Sequence, residues 1–181
     1  AMNPSLVGSE MCIRDSIILL WLTLVVFNAP VRAQFQLNGD ASVINCKCYQ
    51  LTPDMGNKAG SVWNINQIDL NQPFDYSFTV NLGCNNTSQW AGADGMVFAL
   101  QPLNTSIGSS GGQMGLGGVS PSLGVYLDTY QNTAHGDIFN DHISINLDGD
   151  VIHSSSNNIA GPYDLGAVSY THLRAHETRI H

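Results

Sequence analysis

The chain has 181 residues, enough for one domain of ordinary size and hardly two. Six Lys and Arg stand against fourteen Asp and Glu, a formal net charge of −8. That balance argues against nucleic acid as a partner, because phosphate binding needs a basic surface; an acidic surface is otherwise simply a soluble one.

Taken in chain order, the first segment, SLVGSEMCIRDS (residues 5–16), is unlike the middle of the chain in composition. Residues 17–27, IILLWLTLVVF, are an uncharged apolar run of eleven. Such a run is short for a bilayer span but suits the core of a secretory signal. Val31-Arg32-Ala33 then places short side chains where a signal peptidase reads, so residues 17–33 are expected to be a signal peptide cut after Ala33. A buried strand or helix is the alternative, and neither periodicity nor a cap supports it. The mature part is expected to be secreted or held at the cell surface, with no membrane span of its own.

Export makes disulfides chemically available. The mature part holds Cys46, Cys48 and Cys84, an odd number, so one pair and one leftover thiol is the simplest arithmetic. Cys48 with Cys84 is the favoured pair, although spacing alone does not fix it. Cys46-Lys47-Cys48 has the wrong spacing for a zinc site.

Between the flanks the pattern is β throughout. Residues 75–82, DYSFTVNL, alternate Tyr76, Phe78, Val80 and Leu82 inward with Ser77, Thr79 and Asn81 outward. Residues 95–100, GMVFAL, are continuously apolar, as a strand covered on both faces would be. Residues 104–120 are rich in Gly and Ser, and their place between two strong strands predicts a shaped loop rather than a linker. A strand over 124–127 leads into an Asp/Asn-rich stretch. Residues 143–147 alternate again, Asp148-Gly149 supplies a tight turn, and 150–153 are expected to return as a hairpin partner. No segment shows a 3.6-residue apolar period with caps. Short strands joined by Gly, Asn, Pro and Ser predict a sandwich or barrel.

The last segment, AVSYTHLRAHET (167–178), again differs in composition. Both Glu residues of the chain, Cys12, three of four Arg and three of six His sit in the two flanks. Both flanks resemble translated sequencing-adapter DNA. On that reading residues 1–16 and 167–181 are foreign extensions, the domain occupies 34–166, and it is truncated at its C-terminus. No chemistry is assigned to His172, His176, His181 or Glu177.

The stretch LDTYQNTAHGDIFNDHISI, residues 127–145, concentrates potential ligands in a chain that otherwise uses few charges. Asp128, Tyr130 and Asn132 are spaced two apart, so in extended chain their side chains share one face. Asp137 comes after Gly136, where the backbone can turn back. Carboxylate, amide and carbonyl oxygens in this order suit a hard cation such as Ca²⁺. His142 adds a nitrogen that calcium would not choose and a transition ion would. An Asp/Asn-rich turn that satisfies only its own backbone is the competing reading.

Asp128-Thr129-Tyr130-Gln131-Asn132, followed by Asp137 and His142, resembles the metal loop of L-type (legume-type) lectins in order and spacing. Upstream, Gly92-Ala93-Asp94-Gly95 resembles the turn that carries that family's sugar-binding aspartate, and Gly111-Gly112-Gln113-Met114-Gly115 resembles its glycine loop. NCKCYQLTPDMGNKAGSVWN (45–64) and Phe98-Ala99-Leu100-Gln101-Pro102 are most similar to bacterial surface members, whose lectin domain often heads a longer adhesin-like protein. The resemblance covers residues 34–165.

The resemblance implies an all-β, concanavalin-like jelly-roll sandwich of antiparallel sheets. It implies Ca²⁺ held by Asp128, the main-chain carbonyl of Tyr130, Asn132 and Asp137, and a cis peptide between Ala93 and Asp94. Asp94, the backbone N–H of Gly112 and the Asn132 amide would grip sugar hydroxyls, with the Tyr130 ring covering the sugar's C–H face. A second site, for Mn²⁺ or another transition metal, would use Asp128, Asp137 and His142. The family's glutamate two residues before the first aspartate is here Tyr126, which removes an anionic ligand from the second site. The function implied is calcium-dependent carbohydrate binding, with an adhesive role. The motifs carry no sugar preference and no oligomeric state.

The remaining polar and aromatic residues have plainer readings. His153 and residues 154–158 read as a loop, with a further calcium contact as the alternative, and His135 as solvent-facing. Trp63 and Trp90 read as core or rim packing. Asn86 and Asn104 open glycosylation sequons. A glycoside hydrolase on the same sandwich is the competing function, but it needs two carboxyl groups facing each other across the sugar. Members of that kind use glutamates, and residues 17–166 contain none. A structural surface module with a degenerate sugar site is the third reading, and Asp94, Gly112 and Asn132 speak against it.

Overall fold

A computed structural model of the chain describes residues 8–13, 34–82, 93–106, 110–166 and 170–176. The expected signal segment, Cys84, Asn86, Trp90 and Gly92 lie outside the described residues. Among the described residues eleven strands run in order: β1 (Gly8–Ile13), β2 (Phe35–Gly39), β3 (Ser42–Asn45), β4 (Cys48–Pro53), β5 (Gly60–Asn64), β6 (Asp75–Asn81), β7 (Gly95–Leu100), β8 (Leu123–Asp128), β9 (His142–Leu147), β10 (Asn158–Asp164) and β11 (Tyr170–His176). All their pairings are antiparallel. The helical pieces among the described residues are two 3-10 turns, Gly111–Gln113 and Thr133–His135.

One sheet has the order β11-β6-β1-β4-β3, a second β10-β9-β8-β7, and β2 with β5 makes a two-stranded ribbon. This is the expected all-β jelly-roll class. The alternation read in β6 carries the core: Phe78, Val80 and Leu82 are buried and meet Met96 of β7 and Leu127 of β8. Phe78 and Phe98 stack across the sheets with ring centroids 5.1 Å apart. Each such side chain removed from water contributes about 1.5–3 kcal/mol, which makes this cluster the main tie between the sheets.

The opposite face of the β7–β9 sheet is covered as well, and it positions the site. Leu116, Val119 and Tyr126 form a second buried cluster, with Val97, Ala99 and Val151 against it. Strand β7 therefore sends Met96 and Phe98 to one cluster and Val97 and Ala99 to the other. That is why its sequence is continuously apolar. The Gly/Ser-rich segment supplies Leu116 and Val119, so it is the shaped loop its position predicts.

The structure departs from the sequence reading in two places. The Asp148-Gly149 turn forms, with φ of 58° and 63° and Asp150 N–H donating to Leu147 O at 3.1 Å. Its expected return strand over 150–153 does not. Asp150 Oδ1 instead accepts the N–H of Ile152 at 2.9 Å, a local bond that competes with ladder pairing. The chain loops out and rejoins β9 only at Asn158, opposite Asn146. Second, polar residues of the alternating strands do not all face solvent: Asn81, expected outward in β6, is buried, as are His142, Ser144 and Asn146 of β9.

The two flanks read as foreign supply β1 and β11, which pair with the two edges of β6. A strand flanked by unsatisfied N–H and C=O groups accepts any extended chain. Cys48 is buried at the start of β4 and Cys46 is exposed. The favoured partner of Cys48, Cys84, lies outside the described residues.

Candidate metal and carbohydrate site

The site forms where β7, β8 and β9 end together. Gly95, Asp128 and His142 are register partners across the three strands, so Asp94, Asp128 and His142 gather at one rim of the sheet. Gly95 sits at φ 146°, and a side chain there would collide with the Leu127 carbonyl and press on the Asp128 backbone. Only glycine lets the two strands close so tightly beside Asp94. The Ala93–Asp94 peptide is cis, and the Asp94 carbonyl accepts the Thr129 N–H at 3.0 Å.

After Asp128 the chain folds into the ligand-rich loop. Asp128 Oδ1 accepts the Tyr130 N–H at 2.9 Å, and Asp137 Oδ2 accepts the Asn132 N–H at 2.6 Å. The return from Asn132 to Asp137 is made by the Thr133–His135 turn and by Gly136 at φ 83°, a left-handed position that favours glycine. The loop thus brings Asp128, Tyr130, Asn132 and Asp137 together. The Asn132 amide nitrogen lies 3.4 Å from the Tyr130 carbonyl. A half-turn of that amide places its oxygen beside the carbonyl instead.

The glycine loop lies against this turn. A Cβ on Gly112 would stand 3.1 Å from Asn132 Oδ1 and 3.2 Å from His135 Cε1. Met114 approaches Gly95 from the same loop. Gly112 and Asn132 are therefore neighbours, and His135, read as solvent-facing, stands beside them, its ring against Gly112. Tyr130 is half-buried in the loop; Phe139, in the same loop, is 75% exposed.

The electrostatics are those of a site short of positive charge. Asp128 is 5% and Asp137 9% exposed, and no Lys or Arg pairs with either among the described residues. Burial pushes the Asp128 carboxyl up to about 7, with Asp137, Asp94 and Asp141 adding to the rise and the Tyr130 N–H opposing it. Asp137 Oδ1 is buried, met at hydrogen-bond length among the described residues only by the His153 ring nitrogen, 3.2 Å away. Buried carboxylate oxygens of this kind are normally paired or bound to metal. The donor set therefore fits a divalent cation: four oxygen donors, two of them carboxylates.

On its other side the same pair of aspartates faces histidine. His142 Nε2 lies 3.9 Å from Asp128 Oδ2, 3.8 Å from Asp137 Oδ1 and 3.1 Å from His153 Nε2. His153, read mainly as part of a loop, stands here with its Nε2 3.2 Å from Asp137 Oδ1. Asp137, His142 and His153 form a group that could hold a metal ion. No local spacing pointed to His153. It arrives because residues 150–157 loop out after the Asp148-Gly149 turn, and its N–H is anchored on the His135 carbonyl at 2.9 Å. Tyr126, at the position of the family's glutamate, turns into the Leu116–Val119 cluster, and burial pushes its hydroxyl up to about 12.

Among the described residues no helix is long and apolar enough to cross a membrane. The chain is similar to the serine-rich adhesin for platelets of Staphylococcus aureus. It is 38% identical to the protein of strain MRSA252 over 85 residues, 46% of this chain and 6% of the relative. The same identity over the same length holds for strains USA300 and NCTC 8325, of which it covers 4%. The chain thus spans only a small part of these relatives. The sequence pattern of the legume lectin beta-barrel domain matches residues 26–180, and the chain belongs to this L-type lectin family.

Proposed function

We propose that this domain binds carbohydrate in a calcium-dependent manner and serves adhesion as part of a secreted or cell-surface protein. The family and the adhesin relatives point to a binding protein rather than an enzyme. The observation that carries the reading is the place of Asn132. Its backbone N–H is held by Asp137, while its side-chain oxygen is the atom nearest to Gly112. One residue thus joins the acidic loop to the glycine loop.

In this reading Asp128, the Tyr130 carbonyl, Asn132 and Asp137 hold Ca²⁺. The ion supplies the positive charge that these buried carboxyls lack. Asp94 accepts hydrogen bonds from sugar hydroxyls, and the Gly112 N–H and the Asn132 amide donate to sugar oxygens. Bonds with a charged partner are about twice as strong as neutral ones, so Asp94 contributes most. The Tyr130 ring covers the apolar face of the sugar. The ligand is a glycan or polysaccharide.

A glycan array probed with the protein in calcium, and again after EDTA treatment, tests this reading. Binding to a defined set of sugars that EDTA abolishes and calcium restores is the expected result. Binding that survives EDTA, or no sugar bound in calcium by a protein shown to hold the ion, overturns it.

A further inference from the structure

The side of the aspartate pair that faces away from the Tyr130–Asn132 turn has a different chemistry. Asp128 Oδ1 and Asp137 Oδ2 are engaged by the backbone of the calcium loop; Asp128 Oδ2 and Asp137 Oδ1 face His142 and His153. The His142, Asp137 and His153 side chains are 1%, 1% and 8% exposed. Three donors from separate stretches of chain, Asp137, His142 and His153, thus meet in a closed space, their ligand atoms within 4.8 Å of one another.

The hydrogen bonds around the two rings fix what they offer. His142 Nδ1 lies 3.1 Å from the Asn140 carbonyl, so this nitrogen carries the proton and Nε2 presents a lone pair to the space. His153 Nδ1 lies 2.8 Å from the Asn158 amide. With the Asn158 oxygen turned toward it, Nδ1 carries the proton and the His153 Nε2 lone pair is presented too. Two imidazole nitrogens 3.1 Å apart otherwise have only one proton to share between them. Metal–nitrogen and metal–oxygen bonds near 2.0–2.2 Å in a tetrahedron put donor atoms about 3.3–3.6 Å apart. The observed separations among Asp137, His142 and His153, 3.1, 3.2 and 3.8 Å, bracket that value.

We propose that Asp137, His142 and His153 hold a second metal ion through two nitrogens and one oxygen, in which His153 replaces the ligand lost at Tyr126 and shifts the preference from Mn²⁺ to Zn²⁺-like ions. Calcium and magnesium do not take imidazole nitrogen, whereas Zn²⁺, Co²⁺ and Ni²⁺ do. Asn158 is a positioning residue that sets the His153 ring and its tautomer. This site goes beyond the calcium reading and shares only Asp137 with it.

The test uses the full chain stripped of metal and titrated with Co²⁺ and Zn²⁺, while Tb³⁺ luminescence reports on the calcium loop separately. The wild type is expected to give the intense visible absorption of four-coordinate Co²⁺, displaced by Zn²⁺ in preference to Mn²⁺. His153→Ala should weaken Co²⁺ and Zn²⁺ binding by about ten- to a hundredfold and reduce that absorption, with Asn158→Ala moving the same way to a lesser degree. His153→Glu restores a carboxylate and should turn the preference back toward Mn²⁺. In each variant Tb³⁺ binding is retained. A wild-type Co²⁺ spectrum that His153→Ala and His153→Glu both leave unchanged overturns the proposal. So does a wild type that binds Tb³⁺ but no Zn²⁺. Loss of sugar binding alone leaves this readout untouched.

Discussion

Two residues separate the parts of the site by chemistry. Asn132→Asp keeps an oxygen for calcium and removes the amide N–H₂ that would reach a sugar. Calcium affinity is expected to hold or rise, while sugar binding falls by about ten- to a hundredfold, the cost of losing a hydrogen bond in a charged site. Gly112→Ala acts from the other side, since the new methyl would stand 3.1 Å from Asn132 Oδ1. It should weaken sugar binding about tenfold, a loss of about 1.4 kcal/mol, with a smaller loss of calcium affinity because the methyl presses on a calcium ligand. Calorimetric titration of both ligands separates these effects, and equal losses of calcium and sugar in either variant contradict the assignment. The residues from Asp128 to His142 could be picked out in sequence because they lie close along the chain, whereas Gly112 came only from the family resemblance. His153 could not be, because its approach to His142 depends on a loop excursion that no periodicity announces. The neighbour of His135 was hidden for a related reason: Gly112 lies in a loop distant in sequence.

At the scale of elements, β9 shows why alternation has a limited meaning. Its apolar residues were legible as a strand face, and Ile143 does pack against the inter-sheet core. Its polar residues read as the solvent side, yet Ser144 and Asn146 are 2% and 1% exposed. What covers them is a loop whose composition is that of a linker and whose anchor is Leu116, fully buried under Gly149 and Tyr126. Leu127→Ala and Leu116→Ala should both cost about 2–5 kcal/mol in urea unfolding, since each leaves a cavity in a packed cluster. Only Leu116→Ala should also weaken sugar binding, because it loosens the segment that carries Gly112. A cost below about 1 kcal/mol for Leu116→Ala would show that the glycine loop is held by something else.

At the scale of the whole molecule, the fold gathers its charge deficit into one rim. The chain carries a formal net charge of −8, and two of its aspartates are buried in the loop that also holds Asn132. Without a counter-ion, like charges and a desolvated carboxyl oppose the folded state. Ions that bind the folded loop and not the unfolded chain then stabilise the protein by mass action, about 2.7 kcal/mol at a hundred times the dissociation constant. For a domain of this size that corresponds to a rise in Tm of roughly 5–10 °C. Scanning calorimetry of the EDTA-treated chain, with calcium added back in steps, should show Tm climbing with calcium concentration. Raising ionic strength with NaCl should reproduce little of the effect, because buried charges are poorly screened. Identical melting curves with and without calcium would mean that the acidic loop is satisfied by its own hydrogen bonds. The buried Asp128 and Asp137 carboxyls, paired with no Lys or Arg among the described residues, are the structural reason to expect otherwise.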